Sequence, residues 1–285
     1  MVSKNTYFKD DSWKNRLLES IKDSSSSHTS FPASVSWYQA NIERFQAFLK
    51  SKESGARVLI NLGSYALIKL LNGDNYKNCY DLAVGETQVD QIREYVDSLL
   101  FPNADGSDIY FGAAALESIG IRFYGDYALV LKPDLIDANE QIFDRDSYEL
   151  IFVPFDNINV NERETLASLL KGKWSELKFM APLKLSGEFE RMFSLSSRER
   201  FQEALLRGEE FIEVHKNGSF TINDLEEVRL AEVDVSTHQY LVDLDRNSFM
   251  LSREEMLWLE ERDEVQRLLR DKNIETRVVD SRGRN

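Results

Sequence analysis

Hydrophobic and polar positions change their period several times along the chain, which predicts short strands interleaved with helices. Apolar runs predict strands at residues 57–62, 109–116, 122–132, 149–155 and 275–279. Apolar residues at helical spacing predict helices at residues 65–71, 89–101, 163–171, 198–206 and 253–272. Because strands and helices alternate irregularly, the pattern favours an α+β fold.

The first 54 residues are predicted to form a helical preface to a main domain at residues 55–285. Helical patterns at residues 13–23 and 36–52 flank the sequence SSSSHTS at residues 24–30, a low-complexity linker. A serine-rich stretch buries too little surface to order itself, so the first helix is expected to dock or detach without disturbing the main domain.

One glutamate stands out in the segment from residue 208 to residue 235. Glu213 interrupts an apolar strand pattern, and the turn sequence KNG follows at residues 216–218. Residues 223–227 predict one capped helical turn, and the alternation at residues 228–235 predicts a second strand. Glu213 is therefore the first candidate for a chemical role. The alternative is an exposed glutamate on the polar side of the strand.

Composition limits the classes of function. The chain has 285 residues, 42% of them hydrophobic, and a net charge of -14, which disfavours a broad non-specific grip on nucleic-acid phosphates. No run approaches the ~20 apolar residues of a membrane helix, and the N-terminal residues lack the apolar core of a secretory signal. A cytoplasmic protein without a membrane partner is the expectation.

Cysteine, histidine and glycine patterns exclude several kinds of site. Cys79 is the only cysteine, so the chain has no internal disulfide and no multi-cysteine zinc site. The three histidines are too far apart in sequence for a local ligand pair, and we predict no metal site. The sequence contains no GxGxxG, GxxxxGK[ST] or GxSxG motif. A lone cysteine such as Cys79 is more often a small buried residue than a nucleophile.

Six short motifs follow the strand that ends near Asn61 and extend to about residue 235. In order, they are YKNCYDL, IREYVDSLLF, IYFGAAAL, FYGDYALVLKP, FDRDSYEL and FIEVHKNGSFTINDLEEVRL. This order resembles the ADP-ribosyltransferase toxins and effectors, among them the DNA-modifying ones. In these folds the catalytic glutamate lies on a strand shortly before a turn, a helical turn and another strand, and Glu213 matches that place.

The resemblance implies a split two-sheet core with flanking helices and NAD as the substrate. It implies Glu213 as the catalytic residue, and a cofactor site formed by Asn61, Ser64, Asn78, Tyr80, Tyr110 and Tyr124. The glutamate would stabilise the cation that develops on the ribose as nicotinamide leaves, while tyrosines stack on the nicotinamide. The implied partners are a macromolecular acceptor, either protein or nucleic acid, and an antitoxin or regulatory partner.

Three positions depart from the family plan. Asp97 follows Arg93 where the plan has a glutamate, and Asn61 replaces the histidine or arginine that holds the cofactor in many transferases. Phe211 precedes Glu213 by two residues, where relatives that modify arginine or asparagine carry Glu or Gln. The departures at Asn61 and Asp97 favour an alternative function, a non-catalytic interaction protein on the same fold. A third possibility is a small-molecule-binding or regulatory α+β domain unrelated to transferases.

Each candidate also has a structural explanation. Residues 124–126 fit a bulge in a sheet, and Tyr80 and Tyr110 fit half-buried packing positions. Arg93 and Asp97 are four apart on a predicted helix, as in a surface ion pair. A turn and cap cluster would account for Asp144, Asp146 and Ser147.

Overall fold

The computed structural model describes residues 55–82, 91–101, 108–148, 167, 171–177, 180–181 and 211–280. The predicted preface at residues 1–54, its linker at residues 24–30, the strand at 149–155 and the helix at 198–206 lie outside the described residues. Most of the predicted helix at residues 163–171 also lies outside them, and residue 171 itself begins a strand.

The described strands form one eight-stranded sheet. They are β1 (Arg57–Leu62), β2 (Ile109–Ala115), β3 (Tyr127–Leu131), β4 (Gln141–Phe143), β5 (Lys171–Lys173), β6 (Glu213–Asn217), β7 (Leu225–Ala231) and β8 (Thr276–Val279). Their order is β5-β4-β6-β2-β1-β3-β7-β8. Every neighbouring pair is antiparallel except β7 and β8. The mixture of this sheet with helices confirms the α+β class.

The centre of the sheet differs from the two separate sheets expected from the resemblance. Strands β1 and β2 pair over only three positions, which end at Leu59 and Ala113. Beyond this point β1 continues to pair with β3 as far as Leu62, while β2 continues to pair with β6 as far as Ile109. The described strands therefore form one sheet, in which two four-stranded halves share a short central ladder.

Gly112 stands where the pairing of β1 and β2 ends. A Cβ atom at this position would lie 2.8 Å from the carbonyl oxygen of Leu59 and 3.0 Å from a side-chain carbon of Val58. Real Cβ atoms do not approach backbone oxygen so closely, so any side chain here would push the strands apart. The glycine therefore sets the separation of the two halves.

The helices lie on both faces of the sheet. They are α1 (Ser64–Leu71), α2 (Cys79–Leu82), α3 (Gln91–Leu100), α4 (Glu232–Arg246) and α5 (Arg253–Asp271). Arg93 of α3 stacks on Phe111, which pairs with His215 of β6 and so shares its face. Arg262 of α5 stacks on Tyr127, which lies on the opposite face. None of the described helices combines the length and the apolar character needed to cross a membrane.

Three of the predicted boundaries are wrong. The strand predicted at residues 122–132 covers only Tyr127–Leu131, because Arg122–Tyr124 form a 3₁₀ turn before it. The strand predicted at residues 228–235 ends at Ala231, and helix α4 starts at Glu232. Only Asp234 and Leu241 are buried along α4, so its sequence carries little helical periodicity. The helical turn predicted at residues 225–227 lies one turn earlier, at Ile222–Asp224, because the Thr221 side chain caps it.

Candidate functional site

Glu213 is the first residue of the interior strand β6. It pairs with Ala113 of β2 on one side and with Phe143 of β4 on the other. Only 4% of the residue is exposed, so the alternative of a solvent-exposed glutamate is wrong. A carboxylate this deeply buried requires hydrogen-bond partners, because desolvation of an unpaired charge is costly.

The carboxylate of Glu213 accepts three hydrogen bonds. The backbone N–H of Ser147 donates to Oε2 at 2.6 Å, the Ser147 hydroxyl donates to Oε1 at 3.0 Å, and His215 Nε2 lies 3.1 Å from Oε1. Burial raises the pKa of Glu213, but the hydrogen bond from His215, the charge of Arg93 and the Ser147 N–H bring it below its ordinary value. The site therefore holds this carboxylate in its ionised form.

His215 is a positioning residue that acts through Glu213. Two residues apart on β6, the two side chains lie on the same face of the sheet. The other ring nitrogen, Nδ1, lies 2.7 Å from the side-chain amide nitrogen of Gln141. A neutral imidazole that donates from Nε2 and accepts at Nδ1 satisfies both contacts. The rings of Phe101 and Phe111 pack edge-on against the imidazole, which fixes its orientation.

Arg93 of α3 connects the helix layer to the carboxylate. Its Nη1 donates to the Ser147 hydroxyl at 3.0 Å, its Nε donates to Asp97 at 2.7 Å, and its guanidinium stacks 4.0 Å from the Phe111 ring. The pair of Arg93 and Asp97 is buried, with 6% and 3% exposure, so the prediction of a surface ion pair is wrong. A continuous hydrogen-bonded chain joins Tyr80, Asp97, Arg93, Ser147, Glu213, His215 and Gln141.

A cavity of about 370 Å³ opens where β1 and β2 cease to pair. Residues from both strands line it, and Ala113, the neighbour of Glu213 on β2, leaves room above the sheet. Much of the lining is apolar, with Phe111 and Phe211 among its residues. Charged and phenolic groups in the lining come from Tyr76, Arg93, Tyr124, Asp146, Tyr148 and Glu213.

Asn61 also lines the cavity, but its amide serves the neighbouring loop. The Nδ2 atom donates to the carbonyl oxygens of Ile119 and Gly125, at 2.9 and 3.1 Å, and Oδ1 accepts from the N–H of Ile121 at 2.9 Å. Asn61 therefore holds the loop that leads into Tyr124. Gly125 packs so closely on β1 that a Cβ atom there would lie 2.0 Å from the carbonyl carbon of Leu62.

Tyr124 projects from the turn Arg122–Tyr124 into the same cavity as Glu213. Its hydroxyl donates to Oδ2 of Asp146 at 3.2 Å. Of the seven predicted site residues, Glu213, Asn61 and Tyr124 line one cavity, although they are far apart in sequence.

The other four predicted residues do not line this cavity. Asn78 caps helix α2, where its Oδ1 accepts the N–H groups of Tyr80 and Asp81. Tyr80 donates to Asp97, and Ser64 begins helix α1. Tyr110 donates to Asp81, and it lies three residues from Ala113 along β2, an odd offset that turns it to the opposite face from Glu213.

Four members of the site were not predicted as functional residues: His215, Arg93, Ser147 and Asp146. The period of two along a strand was a usable signal for His215, since it shares a face with Glu213. Ser147 and Asp146 come from the motif FDRDSYEL, which was assigned to a turn. In the described part of the chain, no group of three or more His, Cys, Asp or Glu side chains is placed to hold a metal ion.

Comparison with known proteins adds no relative: no family model matches the chain, and there is no significant match to a curated protein or to a solved structure.

Proposed function

We propose that the protein is an NAD-dependent ADP-ribosyltransferase that transfers ADP-ribose to a macromolecular acceptor. One observation carries the proposal: Glu213, a buried carboxylate with a lowered pKa, forms part of the wall of a cavity at the parting of two half-sheets. The order of the sequence motifs supports the choice of NAD as the substrate. A toxin, effector or defence role follows from the same order.

The chemistry needs an ionised carboxylate in this place. When the bond between nicotinamide and ribose breaks, positive charge develops on the ribose ring, and a fixed negative charge nearby lowers the energy of that state. Three hydrogen bonds hold the Glu213 carboxylate in position before the reaction, so no reorganisation is needed as the charge develops. The largely apolar lining reduces screening of this interaction.

The lining of the cavity suits the nicotinamide half of NAD. Its volume of about 370 Å³ falls in the ~300–1,000 Å³ range of small-molecule pockets. The half-exposed Tyr124 is the tyrosine best suited to pack against a flat cationic ring, since Tyr76 stacks on Phe220 and Arg93 lies over the Tyr148 ring. Asn61 is poorly placed to hydrogen-bond the nicotinamide amide, because both of its N–H groups and one lone pair of its oxygen already bind the loop.

A specific observation also favours the second candidate, a non-catalytic interaction protein on the same fold. Asn61, which stands where many transferases carry the residue that holds the cofactor, uses its polar groups for contacts within the protein. Arg93 likewise donates to Asp97 and Ser147. In that case the cavity binds a ligand or a partner side chain without turnover.

Two measurements test the proposal. Calorimetric titration with NAD should show one binding site, and incubation with labelled NAD and a cell extract should transfer the label to a polymer. Digestion with protease or with nuclease then identifies the acceptor as protein or nucleic acid. Binding of NAD without nicotinamide release would favour the non-catalytic alternative, and the absence of binding would contradict the transferase.

A further inference from the structure

Asp146 is a second carboxylate in the cavity that contains Glu213. It follows strand β4 in the chain and is only partly buried. Its Oδ1 accepts the backbone N–H of Tyr148 at 3.0 Å, and its Oδ2 accepts the hydroxyl of Tyr124 at 3.2 Å. Each carboxylate oxygen therefore accepts one of these two hydrogen bonds and retains a lone pair for a further contact.

The two carboxylates have opposite electrostatic surroundings. Burial, followed by the charge of Glu213, raises the pKa of Asp146, while the Tyr148 N–H, the Tyr124 hydroxyl and the charge of Arg93 act in the lowering direction. Glu213 has a lowered pKa. Pairs of acidic groups whose environments separate their pKa values typically divide the roles of proton transfer and charge stabilisation.

Glu213 is poorly arranged to accept a proton during the reaction. Its two oxygens already accept three hydrogen bonds. Protonation would also remove the negative charge that stabilises the cation developing on the ribose. Among the described residues that line the cavity, Glu213 and Asp146 are the carboxylates. Asp146 is therefore the candidate for the base that removes a proton from an incoming acceptor.

On the basis of the proposed function, we propose that Asp146 is the general base for the acceptor, which is a group that must lose a proton as it attacks. An acceptor hydroxyl forms a bond from its oxygen to the ribose carbon that carried nicotinamide. The carbon–nitrogen bond breaks, its electron pair leaves with nicotinamide, and the hydroxyl proton passes to the Asp146 carboxylate. Water would take the same course and give free ADP-ribose.

The test compares Asp146→Asn with Asp144→Asn, a control in the same turn. Asp144 pairs with Arg145 and does not line the cavity. NAD binding is measured by calorimetry on the pure protein. Nicotinamide release is measured with labelled NAD and the cell extract, with and without azide. Azide attacks without losing a proton and needs no base, and its ADP-ribose adduct is identified by mass.

Asp146→Asn is expected to bind NAD like the unmodified protein and to release nicotinamide ~10²- to 10⁴-fold more slowly, which is the usual contribution of a general base. Azide should restore much of the rate and give the adduct, and Asp144→Asn should behave like the unmodified protein. Normal turnover by Asp146→Asn, or slow turnover that azide does not restore, would overturn the role of Asp146.

These results separate the two proposals. If the unmodified protein turns over NAD and Asp146→Asn does so equally well, the base assignment fails and the transferase stands. If the unmodified protein neither binds NAD nor releases nicotinamide, the transferase fails and the base assignment fails with it.

A second variant covers the case in which Asp146→Asn does not fold. Tyr124 is half exposed, so Tyr124→Phe is expected to fold, and it keeps the aromatic face while removing the hydroxyl on Asp146. The charged and titratable groups around Asp146, namely Glu213, Arg93 and Tyr148, remain. The acid limb of the turnover–pH profile should move to higher pH with NAD binding retained. An unmoved acid limb would contradict the proposal.

Discussion

Nε2 of His215 lies 3.1 Å from Oε1 of Glu213, and both side chains are buried on the same face of strand β6. Gln141 hydrogen-bonds the other ring nitrogen of the imidazole, and the rings of Phe101 and Phe111 pack against it. The histidine therefore orients the carboxylate and lowers its pKa, without lining the cavity itself.

Replacement of Glu213 is the first prediction. Glu213→Gln keeps the shape and removes the charge, so NAD turnover should fall by a factor of ~100 to 1,000, the usual loss of one placed electrostatic stabiliser. Because the carboxylate accepts three hydrogen bonds, the variant should also lose ~1–3 kcal/mol of stability. Nicotinamide release measures the change in turnover, and urea unfolding measures the change in stability.

Glu140→Gln is the matched control for this variant. Glu140 is similarly buried and accepts hydrogen bonds from Asn217, but it does not line the cavity. It should lose stability with its NAD turnover unchanged. Equal turnover in the two glutamine variants would remove Glu213 from the reaction.

The second prediction concerns the positioning role of His215. In His215→Phe the hydrogen bond to Glu213 is lost, so the pKa of Glu213 should rise. Because turnover requires both Glu213 and Asp146 to be ionised, the acid limb of the turnover–pH profile should move to higher pH. The aromatic surroundings accommodate the new ring, and NAD affinity should change little. His238→Phe is the control, because His238 pairs with Asp263 outside the cavity. A purely structural role for His215 would lower stability without moving the acid limb.

The third prediction tests the point at which β1 and β2 part. Gly112→Ala places a methyl group 2.8 Å from the Leu59 carbonyl oxygen, so the variant should lose ~1–3 kcal/mol of stability and bind NAD more weakly. Gly63→Ser is the control, since a Cβ atom there meets nothing within 4 Å and the position is the N-cap of α1. Equal stability of Gly112→Ala and the parent would show that the strands tolerate a wider gap.

The fourth prediction is a pH dependence of stability that arises at Lys171. Burial lowers its pKa from 10.5 to about 8. Between about pH 8 and 10.5 the unfolded chain therefore binds the proton that the folded protein has released, and the free energy of unfolding rises with pH. Lys171→Met should lack this rise in urea unfolding. The exposed Lys173→Met is the control, and a parallel pH dependence in Lys171→Met and the parent would refute the assignment.

Local patterns determined much of the fold. Strand β1 and helix α5 lie where the sequence predicts them. The signals are local in both cases: a run of apolar residues in β1, and helical periodicity with a serine cap in α5. Helix α4 escaped prediction, since its alternating residues continue the pattern of β7 and bury little apolar surface.

The sequence by itself determined that Glu213 is an isolated carboxylate in an apolar strand, and the period of two placed His215 on the same face. Only the tertiary structure decided what surrounds the carboxylate. Ser147 is 66 residues from Glu213, and Arg93 is 54 residues from Ser147. Sheet register and helix packing bring these side chains together. No local spacing encodes that register, because it depends on the contacts of the whole core.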